Sequence, residues 1–560
     1  MNKQAVFRCI ALLIPIVFFG VLEFTLRLIG IGESRPLFIE NPAHTDYILP
    51  RPDILSRYFP DQTERPSVSM EANFLLKQKP ENGLRIFVQG GSTAAGYPYG
   101  LGASLAGMLD HRLKRSLPDH QVEVINTAMS AVNSFTLLDL ADEIIAQQPD
   151  AVLIYAGHNE YLGILGAGSR FTIGSGYWLT RIMLYLKDFH LYQAIRSLIY
   201  TVNSQTSAQR VDETSRTVMS QVAKHKNIPY DSNLFKHGIT QFERNMQAVL
   251  TKYKAAGIPV FIATIASNLR DHAPFNSNEV APALTQKLAA ARNVDELRTL
   301  ANQYSTVDSA EFHFQLATKL LVRDQSQLAR KHFNLAKQHD LLRFRAPSEI
   351  NQVIKRLAKQ DHVYLVEVER RMRERSDAGI IGRNIMLEHL HPNVQGYFLL
   401  ADTFYQQLKS SQLFYPFIEV STNDAWRMRP ILPAEEYFGY ASIVTLMSDY
   451  PFTDSPQPIK LPTPRDWQQE LGMQLFRKDI DWLRMATLSA ERYRDEKKLD
   501  MWFKTLQLIA DATPHDPVSN ATVGEQFYQQ QRFSEATYYL QRAKRAGWIN
   551  TKSYSQILVE

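Results

Sequence analysis

The stretch LRIFVQGGSTAAGYP, residues 84–98, decides how the rest of the chain is read. An apolar run ends abruptly in Gly90, Gly91 and Ser92. Residues 84–88 are short, continuous, partly β-branched and bounded by glycine, which predicts a buried parallel strand. The glycines permit a sharp turn that lifts Ser92 to the carboxyl end of that strand. In open α/β sheets ligands bind there. A serine so placed is a candidate nucleophile once a base and oxyanion donors accompany it. Taken alone, G-G-S-T also suits a helix N-cap or a phosphate-binding loop.

Four further apolar runs follow: VEVIN (122–126), AVLIYA (151–156), PVFIATI (259–265) and VYLVEV (363–368). Helical patterns lie between them, at 101–116, 137–147 and 241–256, the last stopped by Gly257. Another, at 392–408, follows the final run. Strands alternating with helices predict a doubly wound parallel sheet of five strands.

The chain has 560 residues, enough for two or more domains. An apolar content of 45% and a charged content of 21% exclude wholesale disorder. Lys+Arg of 62 against Asp+Glu of 57 is too small an excess to argue for nucleic acid as a partner. A single cysteine, Cys9, excludes an intramolecular disulfide framework and any multi-cysteine metal site. Cys9 lies in an apolar amino-terminal segment, residues 1–32, behind a basic head of Lys3 and Arg8. No small-x-small cleavage site follows it, and the apolar pattern continues through Phe24, Leu26, Leu28 and Ile31. This favours an uncleaved signal anchor over a cleaved signal. Glu23 and Arg27 stand four apart, placed to pair or to snorkel. The positive-inside rule then exports everything after residue 32, into the periplasm in a Gram-negative cell.

An ester hydrolase needs a nucleophile, a base, an orienting acid and donors aimed at the developing oxyanion. The loop after the third strand, Gly157-His158-Asn159-Glu160, opens beside the loop that carries Ser92, so Asn159 can offer its side-chain amide. After the second strand, residues 126–131 offer backbone N–H groups. Beyond the fifth strand stands Glu388-His389-Leu390-His391-Pro392-Asn393. Glu388, three residues before His391, can orient its Nδ1 and leave Nε2 facing Ser92. Pro392 suits the first turn of the following helix.

The set resembles the SGNH, or GDSL-like, hydrolases, whose blocks carry Ser, Gly, Asn and His in that order. Gly90-Gly91-Ser92-Thr93 stands in place of Gly-Asp-Ser, Gly157-His158-Asn159-Glu160 matches the third block, and Glu388 to His391 the last. The resemblance covers roughly 84–160, 240–275 and 360–410. It implies a flavodoxin-like α/β/α sandwich and a serine esterase acting on acyl or acetyl esters of glycans or lipids, or transferring the acyl group. Ser92 would be the nucleophile, His391 the base and Glu388 its orienting acid. Ala131, where the family has glycine, and Asn159 would form the oxyanion hole. No metal or organic cofactor is required. The longer stretches GHNEYLG, TIASNLRDHAPF, LLRFRAP and EHLHPNVQGY are similar to a subgroup that joins this domain to tetratricopeptide-type helices.

Several residues keep two readings. Asn268 and Arg270 follow the fourth strand and are candidates to bind substrate, though Arg270 equally suits a salt bridge to Asp271 or Glu160. Tyr97 and Tyr99 suit either the pocket wall or the core. Arg343 and Arg345 more readily pin a helical insertion than bind substrate. His158 and His389 are possible metal ligands, but no third ligand is spaced to join them.

The expected organisation is an anchor (1–32), an extended proline-rich lead-in (33–83) and a hydrolase domain (84–412) with helical insertions at about 163–236 and 278–359. A proline-rich linker (413–465), expected to wrap rather than pack, leads to a helical module (466–560). His313, Leu316, Ala317, Leu320, Ala329, Phe333 and Ala336 fall on tetratricopeptide spacing, and Gly524, Phe527, Ala536, Leu540 and Ala543 repeat it. A weaker copy is Ala490, Tyr493 and Pro514. Such helices suit a protein partner, although a generic helical extension fits the same residues. The rival function is a non-catalytic scaffold of envelope assembly, with the α/β domain binding a carbohydrate.

Overall fold

A computed structural model describes residues 3–59, 68–169, 176–206, 217, 219 and 227–549. Helix α1 (Lys3–Leu28) opens the chain, and its segment Ala11–Leu28 has a mean hydropathy of 2.0 with none of it buried. Glu23 and Arg27 pair across one helical turn at 2.7 Å.

The lead-in packs, contrary to the extended segment its prolines suggest. Strands β1 (Phe38–Glu40), β2 (Tyr47–Pro50) and β3 (Leu75–Leu76) form a small antiparallel sheet. Leu37, Ile54, Leu55, Tyr58 and Leu75 join the main core. Arg85 fastens this sheet to the domain. Its guanidinium, only 1% exposed, donates to Glu123 at 2.8 Å, to the carbonyl of Gln147 at 2.9 Å and to that of Leu76 at 2.7 Å. Short apolar runs form strands between the prolines, and Pro50 stands at the last position of β2, where its missing N–H donor does not interrupt the ladder.

The main sheet comprises β4 (Gly83–Gly90), β5 (Gln121–Asn126), β6 (Ala151–Tyr155), β7 (Val260–Ala263) and β8 (Val363–Val366), all parallel, in the order β5-β4-β6-β7-β8. This is the doubly wound flavodoxin-like order, with β4 held between β5 and β6 and its carboxyl end at the topological switch point. Between β4 and β8 the chain forms α2 (Ser92–Ala95), α3 (Leu105–Ser116), α4 (Ser134–Ile145), α5 (Tyr177–Leu186), α6 (His190–Thr206) and α7 (Asn233–Ala255). An insertion adds α8 (Pro282–Ala290), α9 (Val294–Gln303), α10 (Ala310–Leu321), α11 (Ser326–His339) and α12 (Ser348–Leu357). After β8 come α13 (Val368–Glu374) and α14 (Val394–Ser411). Helices α3 and α14 pack together on one face of the sheet, and α4, α7 and α12 pack in series on the other, giving three layers. Pro392 lies one residue before the cap and not in the first turn of α14; Asn393 caps the helix, its Oδ1 accepting from the Gly396 N–H at 2.9 Å.

The proline-rich stretch after α14 is no simple linker. It contains α15 (Thr422–Arg427) and α16 (Pro433–Met447), and Leu432, Ala434, Tyr437 and Ala441 are buried. Pro433 sits in the first turn of α16, where its missing N–H costs nothing, so it starts a helix instead of breaking one. Helix α16 packs on α17 (Trp467–Arg477), which begins the carboxyl-terminal helices α18 (Trp482–Asp495), α19 (Leu499–Ala512), α20 (Pro517–Gln529) and α21 (Phe533–Arg545). Helices α10 and α11 pack as a pair, as do α18 with α19 and α20 with α21. At Gly524 a β-carbon would come within 2.7 Å of the Leu540 side chain, so α20 and α21 approach closely there. These helices are tied to the α/β domain. Lys114 of α3 reaches Asp511 at 3.3 Å, and Lys504 donates to the carbonyl of Ile431 at 3.1 Å.

Candidate active site

Gly90 closes β4 beside β6, and a β-carbon there would lie 2.2 Å from the carbonyl oxygen of Tyr155. Gly91 follows in extended conformation, and Ser92 begins α2 at the carboxyl edge of the sheet. Far along the chain, the loop before α14 brings His391 over it, with His391 Nε2 2.7 Å from Ser92 Oγ. The Nδ1 of the same ring faces Glu388 Oε1, which also accepts the His391 main-chain N–H at 3.0 Å. The three side chains form one hydrogen-bonded line.

Glu388 is fully buried behind that line. Its second oxygen faces the Nδ1 of His389 and accepts the main-chain N–H of Leu390 at 3.2 Å. One carboxylate thus holds two imidazoles through four donors. His389 is the partner that spacing alone does not reveal. Its Nε2 is buried without a partner among the described residues, within an aromatic cage of Phe275, Phe344 and Phe452. Glu388, His389 and His391 also place one ligand atom each within 4.8 Å of one another, so a third ligand does stand beside His389, although His158 is not part of the group. Both Nδ1 atoms and the carboxylate are already engaged with each other.

Asn159 stands over the turn, its Nδ2 3.0 Å from where a β-carbon of Gly91 would be. The glycine leaves room for the amide beside Ser92. Ala131 lines the same cavity with φ of 63°, the left-handed region in which a β-carbon is strained. Glycine is at ease there, so Ala131→Gly is expected to stabilise the fold by about 1 kcal/mol, the relief of strain being partly offset by unfolded-chain entropy. Ala131→Val should do the reverse, and the two melting temperatures check the sign.

The cavity measures about 450 Å³. Ser92, Tyr97, Ala131, Asn159 and His391 form its floor, and Leu162, Phe344, Leu390, Leu446 and Phe476 give apolar walls. Leu446 belongs to α16 and Phe476 to α17, so the helices following the α/β domain roof the site. Tyr97 packs its ring 4.8 Å from that of His391. Tyr99 packs on Tyr397 in the core.

Asn268 and Arg270 do not enter the cavity. The Asn268 amide donates to the carbonyl of Glu388 at 3.0 Å and its Oδ1 accepts from Asp271 N at 2.9 Å, which steadies the loop that carries the two imidazoles. Arg270 donates to Asp271 at 3.0 Å and to Asp377 at 3.1 Å. Its guanidinium is thus satisfied by carboxylates, and Glu160 instead binds Ser134 and Gln241. Arg345, buried, bonds the carbonyl of Asn268 and the carboxylate of Asp340, and Arg343 bonds the carbonyls of Ile228 and Gln338. Both pin the insertion.

Burial holds the histidines around the site neutral. It lowers His391 and His158 from 6.5 to about 3 and His272 to about 2, and His389 also falls well below 6.5. Neutral His391 donates from Nδ1 to Glu388, leaving the Nε2 lone pair to accept the Ser92 hydroxyl. His158 is locked between the carbonyl of Ala266 at 3.1 Å and the N–H of Ala346 at 3.2 Å. Because these folded values lie below that of an unfolded imidazole, the unfolded chain binds more protons as pH falls through 6.5. Stability is therefore full above that pH and lost towards about 3, by up to about 1.4 kcal/mol per pH unit for each imidazole. Melting temperatures across this range check it, and His272→Phe, which replaces one imidazole among aromatic neighbours, should flatten the slope.

No protein-family model and no curated protein matches the chain. Solved structures do. A GDSL-like lipase from Bacteroides thetaiotaomicron is 11% identical over 60% of this chain and 93% of its own, with a TM-score of 0.28. An acetylxylan esterase from Geobacillus stearothermophilus is 13% identical over 61% of this chain and 100% of its own, also at 0.28. A lipase/acylhydrolase from Enterococcus faecalis is 12% identical over 60% and 99%, again at 0.28.

Proposed function

We propose that the chain is a serine hydrolase of the SGNH type that cleaves an ester, or passes its acyl group to a second hydroxyl. The observation that carries this reading is the line Ser92–His391–Glu388 at the floor of a cavity with an amide, that of Asn159, beside the serine. His391 takes the Ser92 proton as Oγ attacks the ester carbonyl, then returns it to the departing alcohol. Glu388 keeps the imidazole in the required tautomer and stabilises the imidazolium. The Asn159 amide, with the N–H groups of Ser92 and Ala131, receives the oxyanion. Water or a sugar hydroxyl then releases the acyl group from Ser92.

The apolar walls suit an acyl chain. Envelope glycans and lipids are the substrate classes that fit an exported enzyme anchored by α1. The paired helices of the insertion and of the carboxyl terminus are read as tetratricopeptide-like, with a protein partner as their use. A fluorophosphonate probe tests the catalytic reading. Labelling is expected at Ser92 and at no other serine, and is lost in Ser92→Ala. Folded protein that stays unlabelled while a known esterase reacts would sink the proposal.

A further inference from the structure

Helices α5 and α6 carry an apolar face that no other described element covers. Trp178, Ile182 and Tyr185 recur along α5 at helical spacing, and Ile195, Leu198 and Ile199 along α6. Trp178 is 71% exposed, Tyr185 75% and Leu198 66%. The opposite side of α5 is packed. Met183 and Leu184 join the main core, and Tyr177 lies against Phe135.

These two helices are joined to α1 at a defined level. Glu23 accepts the first N–H groups of α6, from His190 at 3.0 Å and Leu191 at 2.8 Å. Arg27 donates to the carbonyl of Asp188 at 3.3 Å, and the His190 ring contacts the carbonyl of Ile31 at 2.8 Å. Glu23 lies within the apolar segment Ala11–Leu28, five residues before its end. At 1.5 Å per helical residue, that sets the start of α6 about 7.5 Å inside that end.

We infer that α5 and α6 form a second membrane-contacting element, lying in the interfacial plane of the bilayer beside α1. The inference rests on α1 spanning the membrane. The occupant of the face is lipid, because α6 packs on α1, where Val21, Phe24 and Leu28 are similarly bare. An interfacial helix sits about 5–10 Å into the headgroup boundary, the depth that the Glu23 contacts impose. Trp178 and Tyr185 are the side chains that such a level favours. Two contacts of this kind hold the hydrolase domain in a fixed pose against the membrane, where a lone anchor would leave it free to swing.

Full-length protein in nanodiscs made with lipids brominated near the headgroup end of the acyl chain provides the test. The chain has six tryptophans, so the Trp178 signal is the difference between wild type and Trp178→Phe. That difference is expected to fall by about half or more in brominated discs relative to plain ones. Alkaline extraction of the same protein from native membranes separates the two readings. Unquenched Trp178 in protein that resists extraction overturns the inference and leaves α1 as the only anchor. Release from the membrane by alkali overturns the reading of α1 itself, and the inference with it.

Discussion

Ser92→Ala is expected to lower the turnover of a p-nitrophenyl ester by between about 10⁴ and 10⁶, with binding little changed. The size follows from the role proposed for Ser92 as the nucleophile. Without Oγ no acyl-enzyme forms, and His391 can only activate water from a place shaped for a serine. What survives is the contribution of the oxyanion donors and of cavity binding. The fold should barely register the change. Ser92 is half-buried, its hydroxyl bonds only His391, and the lone pair left on Nε2 faces a cavity that admits water. Melting should therefore shift by no more than about 1 kcal/mol requires. A variant that retains most of its turnover would assign the reaction to another nucleophile, and one that unfolds would make the rate uninformative. The two are told apart by circular dichroism on the same sample.

The parts of the site legible in sequence are those fixed by local chain geometry. Gly90 and Gly91 announce a turn because each has a neighbour where a β-carbon would go, the Tyr155 carbonyl for one and the Asn159 amide for the other. Glu388 and His391 announce each other because a spacing of three lets one carboxylate oxygen meet both a side chain and its own main-chain N–H. The five parallel strands follow from apolar runs separated by helices. What local geometry hides is direction. Asn268 and Arg270 follow β7 and so sit at the correct end of the sheet, yet their loop turns to grip the Glu388 loop and Asp377 instead of the cavity. The cavity roof is hidden for a different reason. Leu446 and Phe476 come from more than 350 residues beyond Ser92, Leu446 in a stretch whose prolines conceal a helix that starts on one of them and Phe476 in the helix that packs on it. His389 was visible as a residue but not as a partner, since adjacency to Glu388 does not say which carboxylate oxygen it will meet.

Glu388→Gln should lower kcat by between about 10² and 10⁴ and also destabilise the protein, an effect that a simple orienting carboxylate would not have. The carboxylate accepts from four donors, two on each oxygen: His391 Nδ1 and the His391 N–H, and His389 Nδ1 and the Leu390 N–H. An amide has only one accepting oxygen. If that oxygen keeps to His391, the tautomer survives and only the charge opposite the imidazolium is lost. The NH₂ group then meets the Leu390 N–H donor to donor, at a cost of about 1–3 kcal/mol. If the amide turns the other way, His391 must accept at Nδ1 and carry its proton on Nε2, where it points at Ser92 and cannot take the serine proton. That arrangement accounts for the larger loss. His389→Phe separates the two duties of the carboxylate. A phenyl ring suits the cage of Phe275, Phe344 and Phe452, and Glu388 then serves His391 alone. Its kcat should stay within about tenfold of wild type. A loss as large as that of Glu388→Gln would show that the second imidazole, not only the first, is needed for turnover.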